Sequence, residues 1–107
     1  MAFTGDEGSP IDPATAQRWI DNYQKSVPTG STKAEFFGFR RIAELLGQDN
    51  AIGIRAYFAQ DDKGVNQLVL VAVTPEERNI GRIDGSQLDG TLMDIGMICP
   101  PYCNNTD

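Results

Sequence analysis

The chain contains no histidine. That absence removes the commonest general base and metal ligand. It also excludes Ser-His-Asp and Cys-His catalysis. Cysteine is almost as scarce: Cys99 and Cys103, both near the C-terminus, are the only two. A disulfide framework of the kind that holds small secreted domains cannot be built from one pair. Long apolar runs are missing too. The longest, residues 68–73, falls far short of the ~20 residues that span a bilayer. Met1 leads into a polar, acidic stretch over residues 4–9, not into a charged-then-apolar leader. The compartment expected from these features is the cytoplasm. Basic charge is in deficit, with nine Lys and Arg against fifteen Asp and Glu and a net charge of −6. Such a field repels phosphate, so neither nucleic acid nor an anionic membrane is an expected partner. Arg40-Arg41 is the only adjacent basic pair, and solvated helix-face charges account for it.

What remains is ordinary globular material. The 107 residues fit one domain. A chain of this size buries roughly two-thirds of its unfolded surface and needs no metal or disulfide to fold. Residues 1–11, rich in Gly, Ser, Asp and Pro, read as a flexible arm. Residues 12–103 read as a single domain and residues 104–107 as a flexible C-terminus.

Asp12-Pro13 is a helix start, because Asp accepts from orphan N–H groups and Pro suits the first helical position. Ala16, Trp19, Ile20, Tyr23 and Val27 then follow helical spacing and predict one buried stripe. Thr32 with Glu35 makes a capping-box pattern and predicts a second helix over 33–46. Its core face would carry Phe36, Phe39, Ile42, Ala43, Leu45 and Leu46, with Phe37 on the far side and Gly47 as a left-handed cap. The period then changes to two. Ile52, Ile54, Ala56 and Phe58 alternate with Gly53, Arg55 and Tyr57, as in a half-buried strand. Asp61-Asp62-Lys63-Gly64 is a turn, and residues 67–73 form a second strand apolar on both faces. The two strands predict an antiparallel hairpin. The expected fold class is α+β: two N-terminal helices packed on a small antiparallel sheet built on that hairpin, followed by an irregular Gly-rich C-terminal tail.

Chemistry-bearing patterns are few. Cys99-Pro100-Pro101-Tyr102-Cys103 admits three readings. Two packed thiols are one. A disulfide is the second, and it needs a cis Pro101 or a sharp turn at Tyr102. Extended residues would hold the Cα atoms about 9–12 Å apart, beyond the ~7 Å limit. Half of a zinc site is the third, completed by carboxylates or by thiols of another chain. Asp61 with Asp62, and Glu76 with Glu77, are adjacent carboxylates in turns, where water screens them. Residues 30–33, Gly-Ser-Thr-Lys, have the composition of a P-loop but the wrong order. Asp84, Ser86 and Asp89 loosely suggest a calcium loop, but Ile95 stands where a bidentate Glu belongs.

Phe36-Phe37-Gly38, the strand over 53–58, the Gln67-Leu68-Val69-Leu70-Val71 run and the closing Cys-Pro-Pro-Tyr-Cys occur in an order that resembles a family of small uncharacterised bacterial proteins. The resemblance covers about residues 12–103. It implies an intracellular bacterial protein with the same order of elements. It carries no activity, cofactor or functional residue.

The leading functional expectation is a non-catalytic protein-binding module, an adaptor, modulator or inhibitor of the immunity type. Phe37, Arg55, Tyr57 and Tyr102 are its candidate contact residues, since exposed aromatics and Arg anchor interfaces. A metal or redox module at Cys99 and Cys103 is the alternative, with zinc the metal such a site would take. A small enzyme is the third class, and no nucleophile–base pair supports it. A second copy of the chain is a further candidate partner, because two helices cover only one face of the apolar strand.

Overall fold

The structure, a computed structural model, describes residues 2–80, 92–93 and 96–104. Most of the Gly-rich tail and the calcium-like pattern at Asp84, Ser86 and Asp89 lie outside the described residues. The fold is α+β. In chain order it runs α1 (Pro13–Ser26), β1 (Ala34–Phe36), α2 (Phe39–Leu46), β2 (Gly53–Gln60), β3 (Asn66–Val73), β4 (Leu92–Met93) and β5 (Met97–Cys99). Among the described residues two antiparallel sheets form, one of order β2-β3-β4 and one pairing β1 with β5.

The expected hairpin is present, with Gly53 opposite Val73 and Gln60 opposite Asn66. Its turn is built by Asp61. One carboxylate oxygen, Oδ1, accepts the N–H groups of Lys63 and Val65, both at 2.9 Å. The other accepts Gln67 Nε2 at 3.2 Å. Gly64 supplies the positive φ, +83°, that the turn demands. These N–H groups hold the Asp61 carboxyl below the usual carboxylate range: the Val65 N–H contributes most, desolvation opposes it, and Lys63 and Gln67 add to the lowering.

β3 is the central strand, and its last four residues are buried. Leu70 and Ala72 face α2, where they meet Leu45 in the core. Phe37, Ile42, Ile54, Leu68 and Ile80 close around them. Val71 and Val73 face the other way. There the N-terminal segment approaches: the Phe3 N–H donates to Pro75 O at 2.8 Å. Phe3, Arg55 and Val73 line one small cavity of about 310 Å³. The segment read as a flexible arm is thus tied to the sheet side at Phe3.

The second helix departs from the capping-box expectation. Residues 34–36 form a strand, and the helix begins at Phe39. Glu35 does not turn back to cap Thr32. Its Oε1 accepts the Leu68 N–H at 2.8 Å and its Oε2 the Gly96 N–H at 3.0 Å. This pins β1 between β3 and the approach to β5. Gly96 belongs to the same contact, because a Cβ there would stand 2.5 Å from Phe36 O. The change of element also changes which aromatics go inside. Phe36 and Phe39, expected in the core, are exposed, and Phe37, expected outside, packs on the core. Gly47 ends α2 in a right-handed conformation, φ −80°, not the left-handed cap expected; its N–H donates to Ala43 O at 2.8 Å. The left-handed residue comes later, at Asn50, φ 67°.

α1 forms where expected, with Pro13 in its first turn but no side-chain cap from Asp12. Its apolar stripe is not buried. No residue of α1 reaches the core, and Trp19, Ile20 and Tyr23 are 56%, 49% and 43% exposed. The outer half of β2 is open as well: Ala56 is exposed and Phe58 is 94% exposed. The reason is length. Eight residues of helix rise only about 12 Å, whereas eight of strand run about 27 Å. α2 therefore covers Ile54 and falls short of Phe58.

Two outcomes follow from these contacts. Glu35→Gln keeps the shape but turns an amide N–H toward one of the two main-chain N–H groups. It is expected to lower stability by about 1–3 kcal/mol, read as a lower urea midpoint with unchanged slope. Asp61→Asn is expected to destabilise in a pH-dependent way. The folded carboxyl titrates below its ordinary value of 3.8, so its contribution is complete above that value and is lost as pH falls through the lower folded value. Urea midpoints of wild type and variant taken from pH 7 downward should converge in acid; a gap independent of pH would refute the account.

Candidate interaction surfaces and the cystine loop

Three places gather functional groups. The first is the face of β2 that carries Arg55 and Tyr57. Arg55 Nη1 donates to Asn79 Oδ1 at 2.7 Å, and Asn79 Nδ2 donates to the Tyr57 hydroxyl oxygen at 2.8 Å. The Asn79 bond, followed by a hydrogen bond and charge from Arg55, draws the Tyr57 phenol below its usual range against the opposing effect of burial. The Arg55 guanidinium also stands 5.9 Å from the Phe3 ring centroid. Both side chains are half-buried. Their polar atoms bind Asn79, so this relay fixes the turn after β3 onto β2 and holds the two side chains in one geometry.

The second is a cavity of about 660 Å³ between the end of α1, β1 and the tip of the hairpin. Tyr23, Lys33, Glu35, Phe58, Gln60 and Leu68 are among its walls. The Tyr23 hydroxyl reaches Thr32 O at 3.5 Å, which places the end of α1 over the start of β1. The walls offer aromatic and aliphatic surface, amide groups and the ammonium-bearing side chain of Lys33. Groups of this kind bind and orient a guest.

The third is the C-terminal loop. Cys99 and Cys103 are joined as a cystine with their Cα atoms 4.7 Å apart. Both the Cys99-Pro100 and the Pro100-Pro101 bonds are cis. At that 4.7 Å separation, the extended run that would have kept the cysteines about 9–12 Å apart is not adopted. Cys99 is buried and Cys103 half-buried. The Tyr102 N–H donates to Ile98 O at 2.9 Å, leaving its ring exposed on the loop. A cystine offers no thiolate to a metal, so the zinc reading applies to the reduced pair only. Among the described residues, no three side chains of His, Cys, Asp or Glu are grouped to hold a metal ion.

The residues singled out by sequence thus separate. Phe37 lies against the core, Arg55 and Tyr57 are linked through Asn79, and Tyr102 stands at the surface of the loop. The basic pair is engaged locally: Arg41 Nη1 donates to Glu44 Oε1 at 2.5 Å, and Arg40 lies 5.9 Å from the Phe39 ring centroid. The side chains that sequence assigned to the core, Trp19, Ile20, Tyr23 and Phe58, are instead surface groups. Their signal was visible as an amphipathic stripe and an alternating strand, patterns that say what is apolar and not what covers it. No helix among the described residues is long and apolar enough to cross a membrane. No family model, no curated protein and no solved structure matches the chain.

Opening the cystine should cost the chain the entropy of closing a five-residue loop, about 2 kcal/mol. Cys103→Ser, or the wild type in reductant, is expected to show that loss in urea denaturation. Identical midpoints with and without reductant would mean that main-chain pairing alone holds β5.

Proposed function

We propose that the protein is a non-catalytic protein-binding module whose contact surface centres on α1 and the hairpin tip. One observation carries this: six of the nine aromatic side chains are exposed. Trp19 and Tyr23 project from one stripe of α1, and Tyr23 shares the large cavity with Phe58. Aromatic side chains exposed beside a cavity are the usual anchors of an interface, because they bury much area at little entropic cost. Isolated exposed apolar side chains mean little; Tyr23 and Phe58, exposed together at one cavity, support a binding surface. The acidic chain favours a partner with basic surface, since complementary charge speeds encounter. A second reading, a redox module at the C-terminal loop, is supported by the joined Cys99–Cys103 pair. A cytoplasmic setting would keep that pair reduced, and an oxidising one would keep it closed. The resemblance to small bacterial proteins adds no activity to either reading.

Trp19 is the only tryptophan, so its emission reports on α1 directly. Titration with the native partner, captured from source cells, is expected to shift that emission to the blue. Trp19→Ala and Tyr23→Ala should each weaken the complex at least ~10-fold, the effect of losing an interface anchor. Capture at full strength by both variants would remove α1 from the interface.

A further inference from the structure

Among the described residues, no strand pairs with the outer edge of β2, which lies at the end of its sheet with β3 on its other side. The direction of its main-chain groups is fixed by register. Asp61 N–H donates to Val65 O at the closed end, and in an antiparallel pair bonded positions alternate. The odd-numbered residues of β2 therefore exchange bonds with β3. The N–H and C=O groups of Ile54, Ala56 and Phe58 point to the open side. The same parity holds on the far side of β3, where Leu68 N–H leaves the hairpin to meet Glu35.

An edge of this length normally carries protection: a Lys, a proline, a bulge or a cover. β2, of sequence Gly-Ile-Arg-Ala-Tyr-Phe-Ala-Gln, has no lysine and no proline, and it pairs with β3 in unbroken register. None of the fifteen acidic residues lies in β2 or β3. The charge that repels copies of this chain elsewhere is absent from this edge, and over more than about 10 Å salt screens it.

We propose that a second copy of the chain pairs with this edge, antiparallel, forming a continuous sheet across a two-fold axis at Ala56. Outward groups must face outward groups, so the hydrogen-bonded positions must be even with even and the non-bonded ones between them odd with odd. With Ala56 on the axis, Ile54 faces Phe58 of the second copy on one side of the sheet, and Arg55 faces Tyr57 of the second copy on the other. The first pair covers the most exposed aromatic ring in the molecule, Phe58. The second sets a guanidinium beside a phenol ring, an attractive contact in place of a like-charge one. The small Ala56 pair at the centre leaves room for both Phe58 rings. Each edge thus supplies what the other lacks, which isologous pairing requires. This inference is independent of the α1 surface, and substitutions at Trp19 and Tyr23 should leave it intact.

The test uses the full chain with its cystine closed. Sedimentation equilibrium is expected to show a monomer–dimer equilibrium. Ala56→Lys, which sets two ammonium groups opposite each other at the axis, should weaken it at least ~10-fold. Ala56→Cys should cross-link two copies under mild oxidation, because residues facing each other in a bonded pair stand about 5.5 Å apart, within disulfide reach. Gln60→Cys, away from the axis, should cross-link far more slowly. For the unmodified chain, hydrogen exchange at the Ala56 and Phe58 N–H groups should slow as protein concentration rises. A strict monomer up to ~1 mM, the weak limit of measurable association, overturns the proposal. A dimer indifferent to Ala56→Lys, with position 56 cross-linking no faster than position 60, overturns it too. A monomer whose edge pairs only with a foreign extended peptide does the same.

Discussion

The carboxylate of Glu35 joins the two sheets of this protein. Its oxygens take one N–H from β3 and one from the residue before β5. Neither group could be left bare without cost, since an unpaired buried N–H loses its hydration and gains nothing. Much of the outer architecture depends on that single side chain. It sets β1 beside the hairpin, and β1 in turn pairs with β5, Ala34 opposite Cys99. That pairing brings the C-terminal loop to the body, where Lys33 N–H donates to Cys99 O at 2.6 Å. It also builds one wall of the large cavity, which Tyr23 and Phe58 complete.

The parts of the fold legible in sequence were those decided locally. The turn at 61–65 is specified by Asp61 and Gly64, whose partners lie within six residues. The hairpin follows from that turn and from alternation on either side. α1 is equally local, a periodic run after Asp-Pro. Residues 33–37 were misread for the opposite reason. Thr32 and Glu35 satisfy a local capping pattern, but the partners Glu35 selects are 33 and 61 residues away. A pattern with a three-residue reach cannot report a competitor at that distance. The phase error at Phe36, Phe37 and Phe39 is the same error propagated, because strand and helix send successive side chains in different directions.

Burial is less legible in the sequence than element type, for both fold and site. Periodicity marks a face as apolar without naming what covers it. For Ile54, Leu70 and Ala72 the cover is α2. Trp19, Ile20, Tyr23 and Phe58 stay exposed, with no such cover among the described residues. The radius of gyration, 15.4 Å, exceeds the roughly 13 Å of a compact domain this long, in keeping with a helix that contributes nothing to the core. The Arg55–Asn79–Tyr57 relay was invisible for another reason. Asn79 follows a Pro-Glu-Glu turn, and nothing in its neighbourhood announces an amide that binds two side chains on a strand more than twenty residues earlier.

These features share one cause. The core is built at one end of a long hairpin by a helix too short to cover it, so the hairpin tip and its outer edge extend beyond the cover. Apolar groups there could be tolerated as scattered exposure, but they are not scattered. Phe58 lies beside the cavity that Tyr23 enters on one side, and its main chain faces an edge that no strand among the described residues pairs. Acidic residues, plentiful elsewhere, avoid both strands of the hairpin. The two strands of the hairpin therefore carry none of the like charge that would oppose a close approach to them. The same division explains how a chain of net charge −6 can carry so much exposed aromatic surface. The acidic groups lie outside the hairpin strands, and Phe58, the most exposed aromatic ring, lies within them.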